Sequence, residues 1–243
     1  RYVRIAGAMA RENMGVTSGF AGSAQRCGNR PGLIDELGTL TFSELDKRGD
    51  AFAAALQMLS SAKVVGIMAR NHRGFVDALI GANRIGADVL LLNTSFAGPA
   101  MAEVVARENV DVIIYDEEFT ATVDRALEGR TGTTRIVAWT DTDDHPLTVE
   151  SLIIDHLGLQ PRRTGEKSRV ILLTSGTTGT PKGAKHSGGG VDALKAILDR
   201  TPWRTEETTV VVAPMFHAWG FSQLVFAASM ACTVVTRRKF DPQ

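Results

Sequence analysis

Residues 172–186, with the sequence LLTSGTTGTPKGAKH, combine glycines, hydroxylated residues and a lysine in a way that could bind an anion. Gly176 and Gly179 let the backbone turn where side chains would obstruct it and approach a ligand closely. Backbone N–H groups and hydroxyl groups can then point at phosphate oxygens, and Lys182 adds a mobile positive charge. The hydroxyl groups are those of Thr174, Ser175, Thr177 and Thr178. The segment predicts a phosphate-binding loop, with an ordinary surface loop as the plainer alternative.

Two widespread nucleotide-binding loops do not fit this segment. A Walker-type loop has glycine directly before its lysine and Ser or Thr directly after it, whereas Pro181 and Gly183 flank Lys182 here. No Gly-x-Gly-x-x-Gly follows any predicted strand, which removes the main argument for a dinucleotide-binding fold. The sequence therefore excludes Walker-type NTPases and gives no support for a dinucleotide-binding fold.

The elements that must position the loop are short apolar runs that alternate with helical segments from residue 64 onwards. The runs are apolar on both faces, which is typical of strands covered by helices on each side. We therefore predict an α/β fold with a mainly parallel, doubly wound sheet and flanking helices. The predicted strands are 64–68, 89–92, 112–115, 136–138, 170–173, 210–212 and 233–235. The helical spacing of apolar residues predicts helices around 75–85, 104–105, 121–127 and 191–198.

A hairpin and a helix are predicted ahead of this alternation. Residues 32–35 and 39–41 flank the turn-like residues 36–38. Thr41 and Glu44 then form a capping box, because each side chain can satisfy a backbone donor at a helix start. The apolar stripe of this helix comprises Leu45, Phe52, Leu56 and Leu59. Only residues 60–63 separate the helix from the next strand, and the sequence leaves open whether residues are missing from this short connection.

The composition indicates a globular chain and restricts its partners. Of 243 residues, 44% are hydrophobic, which is enough for a large core. Lys and Arg number 27, as do Asp and Glu, so we expect no nucleic acid partner. The apolar stretch 224–235 is shorter than the roughly 20 residues that cross a bilayer, which leaves only peripheral membrane contact open. Cys27 and Cys232 match no zinc or disulfide spacing, and we expect buried, reduced thiols in a cytoplasmic chain.

Three segments together resemble one family. Residues 174–183, TSGTTGTPKG, resemble the signature loop of the adenylate-forming superfamily, which contains acyl-CoA synthetases, luciferases and peptide-synthetase adenylation domains. Residues 31–45 resemble its amino-terminal hairpin and following helix, and residues 213–220, APMFHAWG, resemble its next core motif. The resemblance covers essentially the whole chain and is strongest to bacterial fatty acyl-CoA synthetases.

The resemblance implies ATP-dependent activation of a carboxylic acid, with a fatty acid favoured, and transfer of the acyl group to coenzyme A. It implies that the signature loop cradles the β- and γ-phosphates of ATP and that Mg²⁺ bridges phosphate oxygens, with Thr177 as a candidate metal contact. The residues to which this phosphate-binding role is carried over are Thr174, Ser175, Gly176, Thr177, Thr178, Gly179 and Lys182.

The second core motif implies a substrate-side role for His217, against the alternative of a packed, hydrogen-bonded histidine. Trp219 and Phe221 are candidates to line an acyl pocket, although aromatic residues beside apolar helices also serve as core. The acyl chain length and the oligomeric state are left open by the sequence.

By resemblance, residues 1–243 form part of an amino-terminal AMP-binding domain. The chain opens with Arg1 and stops at Gln243, and no counterpart of the small carboxy-terminal domain with its catalytic lysine is present. We therefore expect this fragment alone to be inactive. Two alternatives remain at this point: a non-catalytic nucleotide-binding half-domain, and an acyl-AMP ligase that delivers to a carrier-protein thiol.

Overall fold

A computed structural model describes residues 2–142, 145–174, 182–185 and 203–239, with the backbone alone for residue 174 and for residues 182–185. The helices are α1 Tyr2–Arg11, α2 Ser18–Cys27, α3 Phe42–Leu59, α4 Arg73–Arg84, α5 Gly98–Arg107, α6 Thr120–Ala126, α7 Val149–Asp155 and α8 Ala218–Ser229, with a 3₁₀ turn at Glu117–Phe119. The strands are β1 Pro31–Asp35, β2 Gly38–Thr41, β3 Val64–Met68, β4 Asp88–Leu91, β5 Val112–Asp116, β6 Thr134–Trp139, β7 Val170–Thr174, β8 Lys182–Lys185, β9 Thr208–Val210 and β10 Thr233–Val235.

The strands form two sheets. The larger has the order β6-β5-β3-β4-β7-β8, and all of its pairs are parallel except the antiparallel pair β7–β8. The smaller has the order β2-β1-β10-β9, in which β1, β10 and β9 run parallel and β2 completes the predicted hairpin with β1. The predicted α/β class with a mainly parallel sheet is confirmed.

Both faces of the larger sheet are covered by helices. Along β5, Val112 and Ile114 join the core cluster that contains α3, α4 and α7, whereas Ile113 and Tyr115 join the cluster that contains α5 and α6. Successive side chains of a strand point to opposite faces, so this division shows one helical layer on each side of the sheet. The doubly wound arrangement explains why the strands are apolar throughout.

The helix α3 begins where the sequence predicted. The Thr41 hydroxyl accepts a hydrogen bond from the Glu44 N–H at 3.2 Å, and the Glu44 carboxylate accepts one from the Thr41 N–H at 2.7 Å. Leu45, Phe52 and Leu56 are fully buried, as the apolar stripe predicted. Leu59 was predicted wrongly, since it is 41% exposed at the end of the helix, where the last turn extends beyond the core.

One expected sheet is in fact two. The sequence placed the runs at 210–212 and 233–235 in the same sheet as the others, but β10 pairs with β1, with Leu33 opposite Val234. The strand β9 also begins and ends two residues earlier than predicted, and Val212 is 59% exposed. Short apolar runs reveal a strand but not its partner, so the sequence pattern could not separate the sheets.

Four helices were absent from the sequence prediction: α1, α2, α7 and α8. The helix predicted around 191–198 lies outside the described residues. Cys232 is buried and Cys27 half-buried, both as free thiols. Residues 60–63 join α3 to β3, and the Asp111 carboxylate accepts hydrogen bonds from the N–H groups of Lys63 and Val64. No helix in the described ranges is both long and apolar enough to cross a membrane.

Candidate functional site

The two ends of the signature segment are neighbours in the larger sheet. Thr174, the last residue of β7, is paired with Lys182, the first residue of β8. Paired strands lie about 5 Å apart, so the pairing brings the ends of residues 174–182 together. The predicted phosphate-binding residues Ser175, Gly176, Thr177, Thr178 and Gly179 lie outside the described residues, as do the side chains of Thr174 and Lys182. Their role stays a prediction.

The signature segment leaves the sheet at its carboxyl edge. The strand β7 runs parallel to β4, with Leu91 opposite Leu172, and continues for two residues beyond the end of β4. In open α/β sheets, ligands bind in the crevice outside the carboxyl ends of the strands. The position of Thr174 at this edge is therefore compatible with the predicted phosphate-binding role.

The second motif, residues 213–220, connects β9 to α8 and begins the helix. His217 occupies the N-cap position with an extended backbone, and its N–H donates to the Pro214 carbonyl at 3.0 Å. Its exposed ring lies 4.7 Å from the ring of Phe216, measured between centroids. Within the described part of the chain the ring makes no side-chain capping bond. The His217 side chain is thus accessible to a ligand, and its substrate-side role stays a prediction.

The two aromatic residues on α8 differ in their surroundings. Trp219 is 64% exposed, whereas Phe221 is 8% exposed and packs in the same core cluster as Leu224. Phe221 therefore contributes to the core, the alternative that the sequence left open, and Trp219 is free to contact a ligand or another segment. The lining of an acyl pocket by these residues remains a prediction.

A polar residue that sequence reasoning missed connects the two sheets beside this motif. Asn71 follows β3 and is 5% exposed. Its amide donates to the carbonyls of Val211 at 3.2 Å and Ala213 at 2.9 Å, and its carbonyl accepts from the Met215 N–H at 2.8 Å. The available signal was its position directly after a buried parallel strand, where polar residues of α/β proteins often face a ligand crevice.

The residues on either side of Asn71 are held by Asp116 at the end of β5. The Asp116 carboxylate accepts from the His72 Nε2 at 2.8 Å and from the Arg70 N–H at 2.9 Å. The Gly74 N–H donates to His72 Nδ1 at 3.1 Å, so the ring proton lies on Nε2 and points at Asp116. His72 and Asp116 are fully buried, which excludes them from contact with a substrate. Their role is to fix the backbone of 70–72 and the start of α4.

Charged and aromatic side chains cover this buried pair. The Arg238 guanidinium lies 4.4 Å from the centre of the Trp139 ring, and the centres of the Trp139 and His72 rings lie 5.1 Å apart in an edge-to-face arrangement. Arg70 and Arg238 both donate to Glu118, and the hydrogen bonds from Arg70 lower the pKa of Glu118 below its usual range. These side chains cover the buried His72–Asp116 pair beside the ends of β5 and β6.

The described residues contain no cluster of three or more His, Cys, Asp or Glu side chains that could hold a metal ion. A loop of hydroxyl groups, backbone N–H groups and one lysine fits a triphosphate, which can bring its own Mg²⁺. Thr177, the residue predicted as a candidate metal contact, lies outside the described ranges, and its role stays a prediction.

Comparisons with known proteins agree with these features. The model of a family described as AMP-binding enzyme matches residues 20–243. The long-chain-fatty-acid–CoA ligase FadD13 of Mycobacterium tuberculosis is 26% identical over 207 residues, which cover 83% of this chain and 40% of the ligase. The indoleacetate–CoA ligase of Aromatoleum aromaticum is 28% identical over 210 residues, which cover 83% of this chain and 41% of that ligase.

A solved structure has the same fold. The inhibitor-bound amino-terminal domain of FACL13 from Mycobacterium tuberculosis superposes with a TM-score of 0.79 and 22% identity, over 93% of this chain and 58% of that domain. The chain thus spans about 40% of the length of the curated relatives named above. The resemblance stated from residues 174–183 is confirmed by the family match.

Proposed function

The chain belongs to the AMP-binding enzyme family, and on this basis we propose that the complete protein is an acyl-CoA synthetase. It uses ATP to activate a carboxylic acid. A carboxylate oxygen attacks the α-phosphorus of ATP, and pyrophosphate leaves to give an acyl-adenylate. The thiol of coenzyme A then attacks the acyl carbonyl, and AMP leaves as the thioester forms. Residues 1–243 are part of the amino-terminal domain that binds the nucleotide.

The observation that carries the proposal is the pairing of Thr174 with Lys182, the two residues that flank 175–181 in a member of this family. Thr174 ends β7 at the carboxyl edge of a mainly parallel sheet. The departing pyrophosphate needs fixed donors that neutralise its charge and keep the attacking and leaving oxygens in line. The backbone N–H groups, the hydroxyl groups and Lys182 supply such donors. Mg²⁺ bound with ATP supplies further charge neutralisation.

For the acid, we propose an apolar carboxylic acid and, within that class, a fatty acid. Support comes from the apolar character of α8, whose side chains Phe221 and Leu224 are buried and whose Trp219 is exposed beside His217. One relative named above is a long-chain-fatty-acid ligase and another is an indoleacetate ligase, both of which use apolar acids.

The test uses the protein expressed from the complete open reading frame. Pyrophosphate release is measured with ATP and a mixture of fatty and aromatic acids, and acyl-CoA products are identified by mass spectrometry. We expect acid-dependent pyrophosphate release and a fatty acyl-CoA product. Lys182→Ala and Thr177→Ala should each lower kcat/KM for ATP by roughly 100-fold, the usual effect of removing one transition-state donor.

The matched control is Lys167→Ala, an exposed lysine in the loop before β7. It removes the same charge away from the signature segment, so kcat/KM for ATP should change by less than about twofold. If the protein formed acyl-adenylate but no acyl-CoA, the proposed acceptor would change from coenzyme A to another thiol, such as that of a carrier protein. No acid-dependent turnover in the complete protein would favour a non-catalytic nucleotide-binding domain.

A further inference from the structure

The segment between β9 and α8 depends on side chains for its backbone hydrogen bonds. The last hydrogen bond between the β9 and β10 backbones runs from the Val211 N–H to the Val235 carbonyl at 2.9 Å. Beyond it, the carbonyls of Val211 and Ala213 and the N–H of Met215 are bonded by Asn71. Buried backbone polar groups without partners are costly, so the path of this segment is fixed by one amide side chain.

Asn71 is well suited to this task. Its carboxamide offers two N–H donors and one carbonyl acceptor, and here it meets two carbonyls and one N–H. Its own position is fixed, because Asp116 holds the backbone N–H of Arg70 and the ring of His72 on either side. The Thr236 hydroxyl adds weaker hydrogen bonds to the carbonyls of Asn71 and Val211, at 3.4 and 3.3 Å.

Gly220 in the first turn of α8 confines the same segment from the other side. A Cβ atom at position 220 would overlap the Pro214 carbonyl oxygen and lie 2.5 Å from the Ala213 carbonyl oxygen. Because glycine has no Cβ, α8 can approach the segment this closely. Residues 213 and 214 are therefore held between the Asn71 side chain and the backbone of α8.

The confined segment leads directly to His217. The Pro214 carbonyl accepts from the His217 N–H at 3.0 Å, and the His217 carbonyl accepts from the Phe221 N–H at 2.9 Å. The exposed His217 ring has only Phe216 as a ring neighbour among the described residues. The backbone at His217 is thus held by its bonds to Pro214 and Phe221, and the residues before it are held by Asn71 and Gly220.

We propose that Asn71 is a positioning residue for the carboxylic acid substrate. It holds residues 211–215 against Gly220 so that His217 is presented to the acid, and this role rests on the function proposed above. This role distinguishes the acid from ATP, because Asn71 follows β3 and bonds the segment that leads to His217. The signature segment instead leaves β7, which is separated from β3 by β4 in the larger sheet. A residue that only stabilises the fold would not change the KM for one substrate alone.

The experiment uses the complete protein with Asn71→Asp and Asn71→Ala. Asn71→Asp keeps the side-chain volume and the oxygen that accepts from the Met215 N–H. It replaces the NH₂ group that donates to the Val211 and Ala213 carbonyls with a carboxylate oxygen, which cannot donate. KM for the acid and KM for ATP are measured separately by pyrophosphate release, with thermal unfolding in parallel. We expect KM for the acid to rise about tenfold or more, because a small misplacement of a positioning group is costly, and KM for ATP to stay within about twofold.

The control is Asn83→Ala, another buried asparagine whose side chain joins two elements, here α4 and Thr17. Asn83 lies at the far end of α4, roughly 15 Å along the helix from Arg73. This variant should unfold at a lower temperature and keep both KM values. Gly220→Ala, which pushes on the same segment from α8, should instead raise KM for the acid as Asn71→Asp does.

Each result decides between the two proposals. An active wild-type protein whose Asn71 variants are less stable but keep the KM for the acid would overturn the role of Asn71 and leave the proposed function intact. A parallel rise of both KM values would also overturn it, since a positioning role is specific to the acid. A complete wild-type protein without acid-dependent pyrophosphate release would overturn the proposed function and, with it, this role.

Discussion

The carboxylate of Asp35 and the guanidinium of Arg73 form a buried ion pair that joins the smaller sheet to the larger one. Asp35 ends β1, and Arg73 begins α4, which packs on the larger sheet. The distance from Asp35 Oδ1 to Arg73 Nη2 is 2.5 Å, and Asp35 Oδ2 also accepts from the Arg73 N–H at 2.9 Å. Asp35 thus accepts a hydrogen bond from one of the backbone N–H groups that have no partner within α4. Its negative charge also lies at the amino end of α4, where the helix dipole is positive.

This pair predicts a specific pH dependence of stability. Burial pushes the pKa of Asp35 upward, but the hydrogen bonds and charge of Arg73 overcome this effect and hold the pKa below its usual value. A carboxyl group with a lowered folded-state pKa stabilises the fold above its unfolded-state pKa, about 4, and loses this contribution as the pH falls through the folded-state value. Asp35→Asn should therefore lower the free energy of unfolding by about 1–3 kcal/mol at pH 7. The difference in this free energy between the variant and the wild type should shrink below about pH 4.

Urea unfolding of the wild type and of Asp35→Asn at several pH values between 3 and 7 measures the difference in their free energies of unfolding. Two-state denaturation resolves differences of about 1 kcal/mol. Other carboxyl groups with lowered pKa values, such as Glu44 and Glu118, titrate in both proteins and cancel in the comparison. A difference that stays constant down to pH 3 would show that the charge of Asp35 has no part in the stability of the junction.

A second buried pair predicts a large loss of stability from one substitution. Arg48 of α3 donates to the fully buried Asp77 of α4 at 2.7 Å and to Glu150 of α7 at 2.6 Å. Burial raises the pKa of Asp77 even beside Arg48. Arg48→Met leaves this carboxylate buried without its partner. We therefore expect the free energy of unfolding to fall by about 3–5 kcal/mol at pH 7.

The double variant Arg48→Met with Asp77→Leu tests the cause. Because both buried charges are then replaced by apolar groups, it should recover much of the loss. Arg204→Ala removes a surface arginine, 78% exposed in its side chain, and should change the free energy of unfolding by less than about 0.5 kcal/mol. A double variant as unstable as Arg48→Met alone would mean that packing, and not the unpaired charge, carries the effect.

Two helical glycines should respond to alanine with opposite signs. A Cβ at Gly49 of α3 would overlap Ile80 of α4 and lie 2.9 Å from Arg84 Nη1, whereas a Cβ at the exposed Gly7 of α1 meets nothing within 4 Å. Gly49→Ala should therefore destabilise the chain by roughly 1–3 kcal/mol through overpacking. Gly7→Ala should stabilise α1 by up to about 1 kcal/mol, because alanine favours the helix. Thermal unfolding of both variants checks the contrast, and a stabilising Gly49→Ala would contradict the close α3–α4 packing.

Residues 1–243 on their own should not catalyse the proposed reaction. The chain spans about 40% of the length of the curated relatives named above, and the resemblance assigns the catalytic lysine of the proposed reaction to the remaining length. We expect acid-dependent pyrophosphate release at least about 100-fold slower than from the complete protein, since several transition-state contacts are lost together. The assay compares equal molar amounts of both proteins. Comparable rates would show that these residues hold the whole catalytic apparatus.

Local patterns predicted several elements to within a residue. The strands β3 and β10 have the predicted limits, and the Thr41–Glu44 capping box makes both of its expected hydrogen bonds. These features depend on residues within a few positions of each other, so they can be predicted from the sequence of that segment alone. By the same logic, the signature segment at 174–183 identified the family without any knowledge of the fold.

Contacts between distant residues could not be predicted in this way. The division into two sheets depends on the pairing of β1 with β10, and the position of the 213–217 segment depends on Asn71, which is 144 residues away from Met215 in sequence. In the sequence, Asn71 and His72 are the middle residues of a short polar run, 70–73, that follows the apolar run of β3. Their importance emerges only when Asp116 and Met215 become their neighbours.

The sequence by itself determined the strands β3 and β10 and the start of α3, that the larger sheet has helices on both faces, and to which family the chain belongs. Periodicity, capping and the signature residues act over short distances and can be recognised in one chain. The tertiary structure alone decided which strands share a sheet, which carboxylates meet Arg48 and Arg73, and how the backbone before His217 is held. These depend on packing and hydrogen bonding between residues far apart in the chain, where partner choice follows from the fit of whole elements in three dimensions.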